Sequence, residues 1–157
     1  MKEYVVKTND NKSTMKLAET LSVFLMRGDV IFLHADLGSG KTTFTKGVAK
    51  GLGVQETVNS PTFNIVKCYF KGRIPLYHID AYRLEGIKND IGLDEYVDGD
   101  GVCVIEWPEY VDYLWPKEYL MVNIAPLGEN EREITFISNS DHYDLLVNEV
   151  KQAWDIK

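Results

Sequence analysis

The sequence predicts an α/β fold: a mostly parallel sheet flanked by helices, with an antiparallel hairpin or edge portion. Three observations predict it. Apolar runs of strand length alternate with stretches of helical periodicity along the chain. Two of those runs, VIFL (30–33) and GVCVIE (101–106), are continuously apolar, as strands buried on both faces are. Finally, 157 residues without repeat, linker or low-complexity segment fit one domain, expected to span residues 1–157.

The elements follow in order. EYVVK (3–7) alternates as a short strand. Leu17, Leu21, Phe24 and Leu25 recur at helical spacing, with Ser13 or Thr14 as N-cap and Gly28 as the stop. VIFL is followed by a glycine-rich turn and then by Phe44, Val48 and Leu52, a second helix closed by Gly51 and Gly53. NIVKCYF (64–70) and RIPLYHID (73–80) flank Lys71-Gly72 as a hairpin. LMVNIA (120–125) and REITFIS (132–138) are two more strands, and residues 141–154 a C-terminal helix.

Composition narrows the function classes. The chain is 45% hydrophobic and 26% charged, and it contains no apolar run near the roughly 20 residues that cross a bilayer. MKEYVVKTND lacks a signal-peptide core, so a cytoplasmic protein with no membrane partner is expected. Cys68 and Cys103 show no metal-ligand spacing and are expected as buried, reduced thiols. A net charge of −7 argues against unaided nucleic-acid binding. That charge is uneven. Residues 41–83 carry seven Lys or Arg against Glu56 and Asp80, whereas residues 84–113 hold nine acids against Lys88. A positive third that starts beside the glycine-rich turn suits an anionic ligand, though two unrelated solvated faces would give the same count.

The turn itself carries chemistry. HADLGSGKTTF (34–44) follows a buried strand and opens a helix. Gly38, Ser39 and Gly40 are small where backbone amides must approach phosphate closely, and Lys41 is placed to reach β- and γ-phosphates. Thr42 offers a hydroxyl to Mg²⁺ and Thr43 one to the α-phosphate, with the helix dipole behind them. The pattern G-x-x-x-x-G-K-[ST] has glycine first, and this chain has Ala35. Alanine suits that position if its backbone is β-like; a positive φ would cost about 1 kcal/mol or more. The predicted fold is therefore P-loop NTPase-like, with ATP and Mg²⁺ as expected cofactors. GTP is disfavoured because the guanine-reading N-K-x-D pattern is absent: Asn11-Lys12-Ser13-Thr14 lacks the acid.

A metal-holding acid is expected at the end of a neighbouring strand. Asp80, ending PLYHID, and Glu106, ending VCVIE, both qualify, and one of them has the lesser role of capping a strand. Thr62, in SPTF, is either a γ-phosphate-sensing hydroxyl or part of a plain turn.

Taken together, the loop, SPTF, LYHIDAYRL and IEWPE, in this order and spacing, resemble the TsaE (YjeE) family over about Thr14 to Arg132. These are small bacterial P-loop ATPases required to make threonylcarbamoyladenosine in tRNA. Ala35 departs from the family's usual glycine. The resemblance implies that Gly38 to Thr43 hold the triphosphate, with Thr42 and Glu106 on Mg²⁺, and that Asp80 positions water or metal. It places Thr62 on a switch-like loop and Thr14 near the nucleotide. Trp107 follows the metal-binding glutamate, as part of a nucleotide or partner surface or as packing. Tyr82 and Arg83 match without a derivable role. Arg132 is a contact to nucleotide or tRNA, or a partner of surface acids. His78 reads as a packed histidine rather than a base. The implied catalytic set is Lys41, Asp80 and Thr62. No arginine stands out as a finger among Arg27, Arg73, Arg83 and Arg132. The resemblance further implies TsaB and TsaD as partners, with tRNA reached through them, and slow hydrolysis in isolation that resets the TsaB–TsaD complex. A P-loop small-molecule kinase is the alternative, to be decided by substrate-stimulated phosphotransfer.

Overall fold

The computed structural model describes residues 2–35, 40–58, 65–86 and 92–155. Among them run β1 (Glu3–Thr8), α1 (Asn11–Val23), β2 (Val30–His34), α2 (Lys41–Gly51), β3 (Val66–Tyr69), β4 (Leu76–Asp80), α3 (Asp94–Val97), β5 (Val102–Glu106), β6 (Leu120–Pro126), β7 (Arg132–Ser138) and α4 (Asp141–Asp155). The strands form one sheet of order β1-β7-β6-β2-β5-β4-β3. Its centre, β6-β2-β5-β4, is parallel, and both edges are antiparallel, β1 and β7 on one side and β3 on the other. The mostly parallel sheet and the hairpin edge are as the sequence predicts.

Two cores sandwich the sheet. Leu17 and Leu21 of α1, Phe44 and Val48 of α2, and Leu146 and Val150 of α4 meet Ile31, Leu33, Val104 and Phe136 on one face. On the other, Leu93 and Val97 of the α3 segment and Val111 and Leu114 of a 3₁₀ stretch (Pro108–Leu114) cover Phe32, Ile79, Cys103 and Ile105. Period-2 alternation explains the split: in β5, Val102 and Val104 face α2 while Cys103 and Ile105 face away. Val102 to Ile105 are fully buried because both faces are covered.

α1 and α2 pack unusually closely, and two glycines permit it. A Cβ on Gly47 would press into the Met15 carbonyl and lie 2.6 Å from Ala18 Cβ. One on Gly51 would press into Ser22 Cβ and lie 2.8 Å from the Glu19 carbonyl oxygen. Gly51, read from sequence as a helix stop, is thus the last residue of α2 and serves close approach. Ser22 completes the contact, donating its hydroxyl to the carbonyls of Ala18 and Val48 at 2.9 Å each.

Several boundaries differ from expectation. The N-cap of α1 is Asp10, not Ser13 or Thr14: its carboxylate accepts from the Ser13 N–H at 2.7 Å. The helix ends at Val23 with Phe24 as C-cap, four residues before Gly28. Gly28, at φ +90°, instead sends its N–H to the Gly101 carbonyl. Arg73 satisfies the exposed end of α1, donating to the Ser22 carbonyl at 2.6 Å and the Leu25 carbonyl at 3.2 Å. The hairpin pairs Tyr69 with Leu76, so its connection is longer than the Lys71-Gly72 pair. Cys103 is fully buried, which raises its pKa, whereas Cys68 is only half-buried. Among the described residues no helix is long and apolar enough to cross a membrane.

Candidate functional site

β2 runs apolar to Leu33 and delivers Ala35, itself buried, to the carboxyl edge of the sheet. Trp107 is the one non-glycine residue at positive φ among the described residues, so Ala35 carries no left-handed strain. This removes the physical objection to alanine there. Gly38 and Ser39 lie outside the described residues. Gly40 stands as N-cap of α2 at φ +100°, a conformation costly for any other residue. Among the described residues no side chain caps α2, and its first turn holds no acid. Thr42 and Thr43 are half-buried in that turn.

Lys41 is buried and turns back over the strand end. Its Nζ donates to the Ala35 carbonyl at 3.1 Å and lies 4.1 Å from the centre of the Trp107 ring. Trp107 adopts φ 57°, ψ 52° immediately after Glu106, and Pro108 then starts the 3₁₀ stretch. That turn aims the indole back at Lys41. Tyr82 tilts against it at 5.0 Å and Tyr110 stacks on it at 5.8 Å. Of the two sequence readings of Trp107, the packing one is seen directly, against Lys41, Tyr82 and Tyr110.

Asp80 and Glu106 end the adjacent parallel strands β4 and β5 in direct register. Both point to the α2 face by the alternation that puts Leu76 and Val104 there. Asp80 is half-buried, and that burial raises its carboxyl pKa, opposed by the Tyr82 N–H it accepts at 3.1 Å. The Glu106 charge raises it further, while His78 and Lys41 lower it. Glu106 is buried at 3% exposure and accepts a hydrogen bond from His78 Nε2. The two acids that sequence offered as alternatives thus form a pair facing one lysine. Hydroxyl and carboxylate oxygens on this side of α2 are the hard donors that a magnesium ion takes when phosphates and water supply the rest.

The remaining predicted residues divide. Thr14 is buried in the first turn of α1, its hydroxyl 2.7 Å from that of Thr8. Thr8 lies opposite Arg132 across β1 and β7. Arg132 is buried, and Nη1 donates to the Glu131 carbonyl at 2.9 Å and to those of Gly128 and Glu129. Its Nε comes 3.4 Å from where a Cβ on Gly40 would stand. Thr14, Thr8 and Arg132 therefore line the rim beside the start of α2. Tyr82 and Arg83 occupy a 3₁₀ turn (Tyr82–Leu84) directly after Asp80. Thr62 lies outside the described residues. Sequence reasoning missed the tie between His78 and Glu106. The available signal was parity: His78 and Asp80 are two apart on one strand and so share a face.

The chain is similar to known proteins over most of its length. A family profile described as "Threonylcarbamoyl adenosine biosynthesis protein TsaE" matches residues 8–134. A relative named tRNA threonylcarbamoyladenosine biosynthesis protein TsaE, from Bacillus subtilis, is 45% identical over 152 residues, covering 97% of this chain and 96% of its own. One of the same name from Treponema pallidum is 42% identical over 126 residues, covering 79% and 93%. A crystal structure of Bacillus subtilis YdiB superposes with a TM-score of 0.84 at 39% identity, covering 97% of this chain and 96% of that one. With the profile spanning most of the chain and the Bacillus subtilis relative matching nearly end to end, the protein belongs to the TsaE family.

Proposed function

We propose that this protein acts in the biosynthesis of threonylcarbamoyladenosine in tRNA as a Mg²⁺-dependent ATPase, slow by itself and stimulated by its partners. The observation that carries the reading is the convergence of Lys41, Asp80 and Glu106 at the carboxyl ends of β2, β4 and β5, beside the start of α2. Open α/β sheets bind ligands at that edge. The family name supports the pathway, and the residues gathered at this edge support the chemistry.

Phosphoryl transfer needs positioning and charge neutralisation more than covalent help from the protein. Backbone amides at the start of α2, from Gly38 to Thr43, would hold the phosphates, and Lys41 would leave Trp107 to neutralise the β- and γ-oxygens. Thr42 and Glu106 would hold magnesium, which when bound shields charge on the phosphates. Asp80, whose carboxyl is made more basic by burial, would orient the attacking water and accept its proton. Thr62 would sense the γ-phosphate. Thr14 and Arg132, at the rim, would fix the nucleotide's position.

No arginine stands out in the sequence as a finger, and slow turnover in isolation fits that; Arg73 caps α1 and Arg132 donates to the turn before β7. TsaB and TsaD are the partners we infer, with ATP turnover resetting their complex and tRNA reached through them. The test is Mg-ATP hydrolysis by the purified protein with and without the TsaB–TsaD pair, alongside Lys41→Ala and Glu106→Ala. Slow turnover that rises with the pair and disappears in both variants is expected. Turnover at tens per second by the protein alone, or full activity in both variants, would overturn the reading.

A further inference from the structure

His78 is fully buried in the middle of β4, and burying an imidazole is costly unless its polar atoms are used. One atom is used: Nε2 lies in hydrogen-bonding contact with Glu106 Oε2. Among the described residues Nδ1 has no hydrogen-bond partner. This asymmetry decides the tautomer. A carboxylate only accepts, so Nε2 must carry the hydrogen, and a neutral ring then leaves Nδ1 an unpaired acceptor rather than a buried orphan donor. The hydrogen therefore sits on Nε2 and is donated to Glu106.

Sheet geometry makes the contact directional. Asp80, not His78, lies opposite Glu106, and His78 lies opposite Val104. The imidazole thus reaches Glu106 diagonally, from two residues deeper in the sheet, and holds one carboxylate oxygen from behind. The other oxygen, Oε1, is not the one that His78 holds. Without that donor the carboxylate, at 3% exposure, would have to turn to find another partner.

We propose that His78 is a positioning residue. By donating Nε2–H to Glu106 Oε2 it fixes the carboxylate rotamer, so that Oε1 is presented to the nucleotide-bound divalent cation. The proposal rests on the Mg-ATP reading above. It gives the packed histidine of the sequence analysis a task in metal affinity rather than in proton transfer.

Two amide variants separate this role from simple packing. Glutamine carries an N–H where the imidazole Nε2 stands; asparagine carries one only as far as Nδ1. ATP binding by His78→Asn and His78→Gln is measured calorimetrically with Mg²⁺ and with EDTA, and folding is checked by circular dichroism. In the wild type, Mg²⁺ strengthens ATP binding. His78→Asn is expected to reduce that metal-dependent gain by about 10-fold or more, the effect usual for groups that orient a metal ligand, and to keep metal-free affinity within about twofold. His78→Gln is expected to retain the gain within about threefold. A folded His78→Gln that loses the gain overturns the proposal. So does His78→Asn keeping it, or losing metal-free affinity to the same degree. If wild-type protein binds ATP equally with and without Mg²⁺, the metal role falls and the nucleotide reading survives. If it binds no ATP at all, both fall.

Discussion

The Lys41 ammonium lies 4.1 Å from the centre of the Trp107 ring, and Trp107 reaches it only by adopting a left-handed backbone that tryptophan disfavours. The strain and the contact belong together: an extended residue after Glu106 would carry the indole along the strand and away from the lysine. Strain of this kind persists where surrounding structure holds it, most often at functional sites.

Replacing Trp107 separates ring from backbone. Trp107→Ala and Trp107→Gly both remove the indole, but only glycine accepts φ 57° freely. Trp107→Gly is expected to be more stable than Trp107→Ala by about 1 kcal/mol in urea unfolding. Their ATP affinities should shift equally, because each lacks the ring. A stability order reversed between the two would show that the turn relaxes once the indole is gone.

Gly47→Ala tests the α1–α2 contact. In an isolated helix alanine would stabilise; here its methyl meets Ala18 Cβ and the Met15 carbonyl. The expected outcome is a loss of about 1–3 kcal/mol, read from denaturant melts. A neutral or stabilising result would mean the helices separate at no cost.

Asp80 links function to stability. Burial raises its folded carboxyl pKa above the unfolded value, so the group favours the folded state while protonated. That contribution is complete below the unfolded pKa and is lost as pH rises through the folded one. Asp80→Asn should therefore melt higher than wild type at pH 7, with the difference vanishing near pH 3, while ATP hydrolysis is lost. Thermal melts at both pH values check the sign; a variant less stable at pH 7 would contradict it.

Tyr143 carries a structural prediction on the opposite edge of the sheet. Its hydroxyl accepts the Val30 N–H at 2.9 Å in a buried position. Burial raises the phenol pKa well above its ordinary value, so it stays protonated throughout the working range. Tyr143→Phe leaves that N–H unpaired, with an expected loss of about 1–3 kcal/mol in urea unfolding and unchanged ATP affinity.

Much of this was legible in the sequence because it is periodic. VIFL and VCVIE announced themselves as strands buried on both faces, and the helix expected after the glycine-rich segment is α2. Asp80 and Glu106 were legible as strand-end acids, but their pairing was not, since register between strands 26 residues apart leaves no local mark. The bond from His78 to Glu106 was hidden for the same reason. The roles of Gly47 and Gly51 were hidden by a different one: a glycine that ends a helix and a glycine that admits a neighbour look alike until the neighbour is known. α3 and the 3₁₀ stretch after Pro108 are too short for periodicity to reveal, and they fall in the acidic segment whose charge drew attention from its few buried anchors.

The central strand β2 takes both of its neighbours from much later in the chain, β5 at Val102–Glu106 and β6 at Leu120–Pro126. During synthesis Lys41 leaves the ribosome before either exists. At ordinary elongation rates the 65 residues from Lys41 to Glu106 take roughly 3–13 s. Over that interval the nascent chain has a lysine and a glycine-rich turn, but no second wall against which to hold a phosphate. On the Mg-ATP reading proposed above, nucleotide takes no part in the early stages of folding and stabilises the protein only after its sheet has closed.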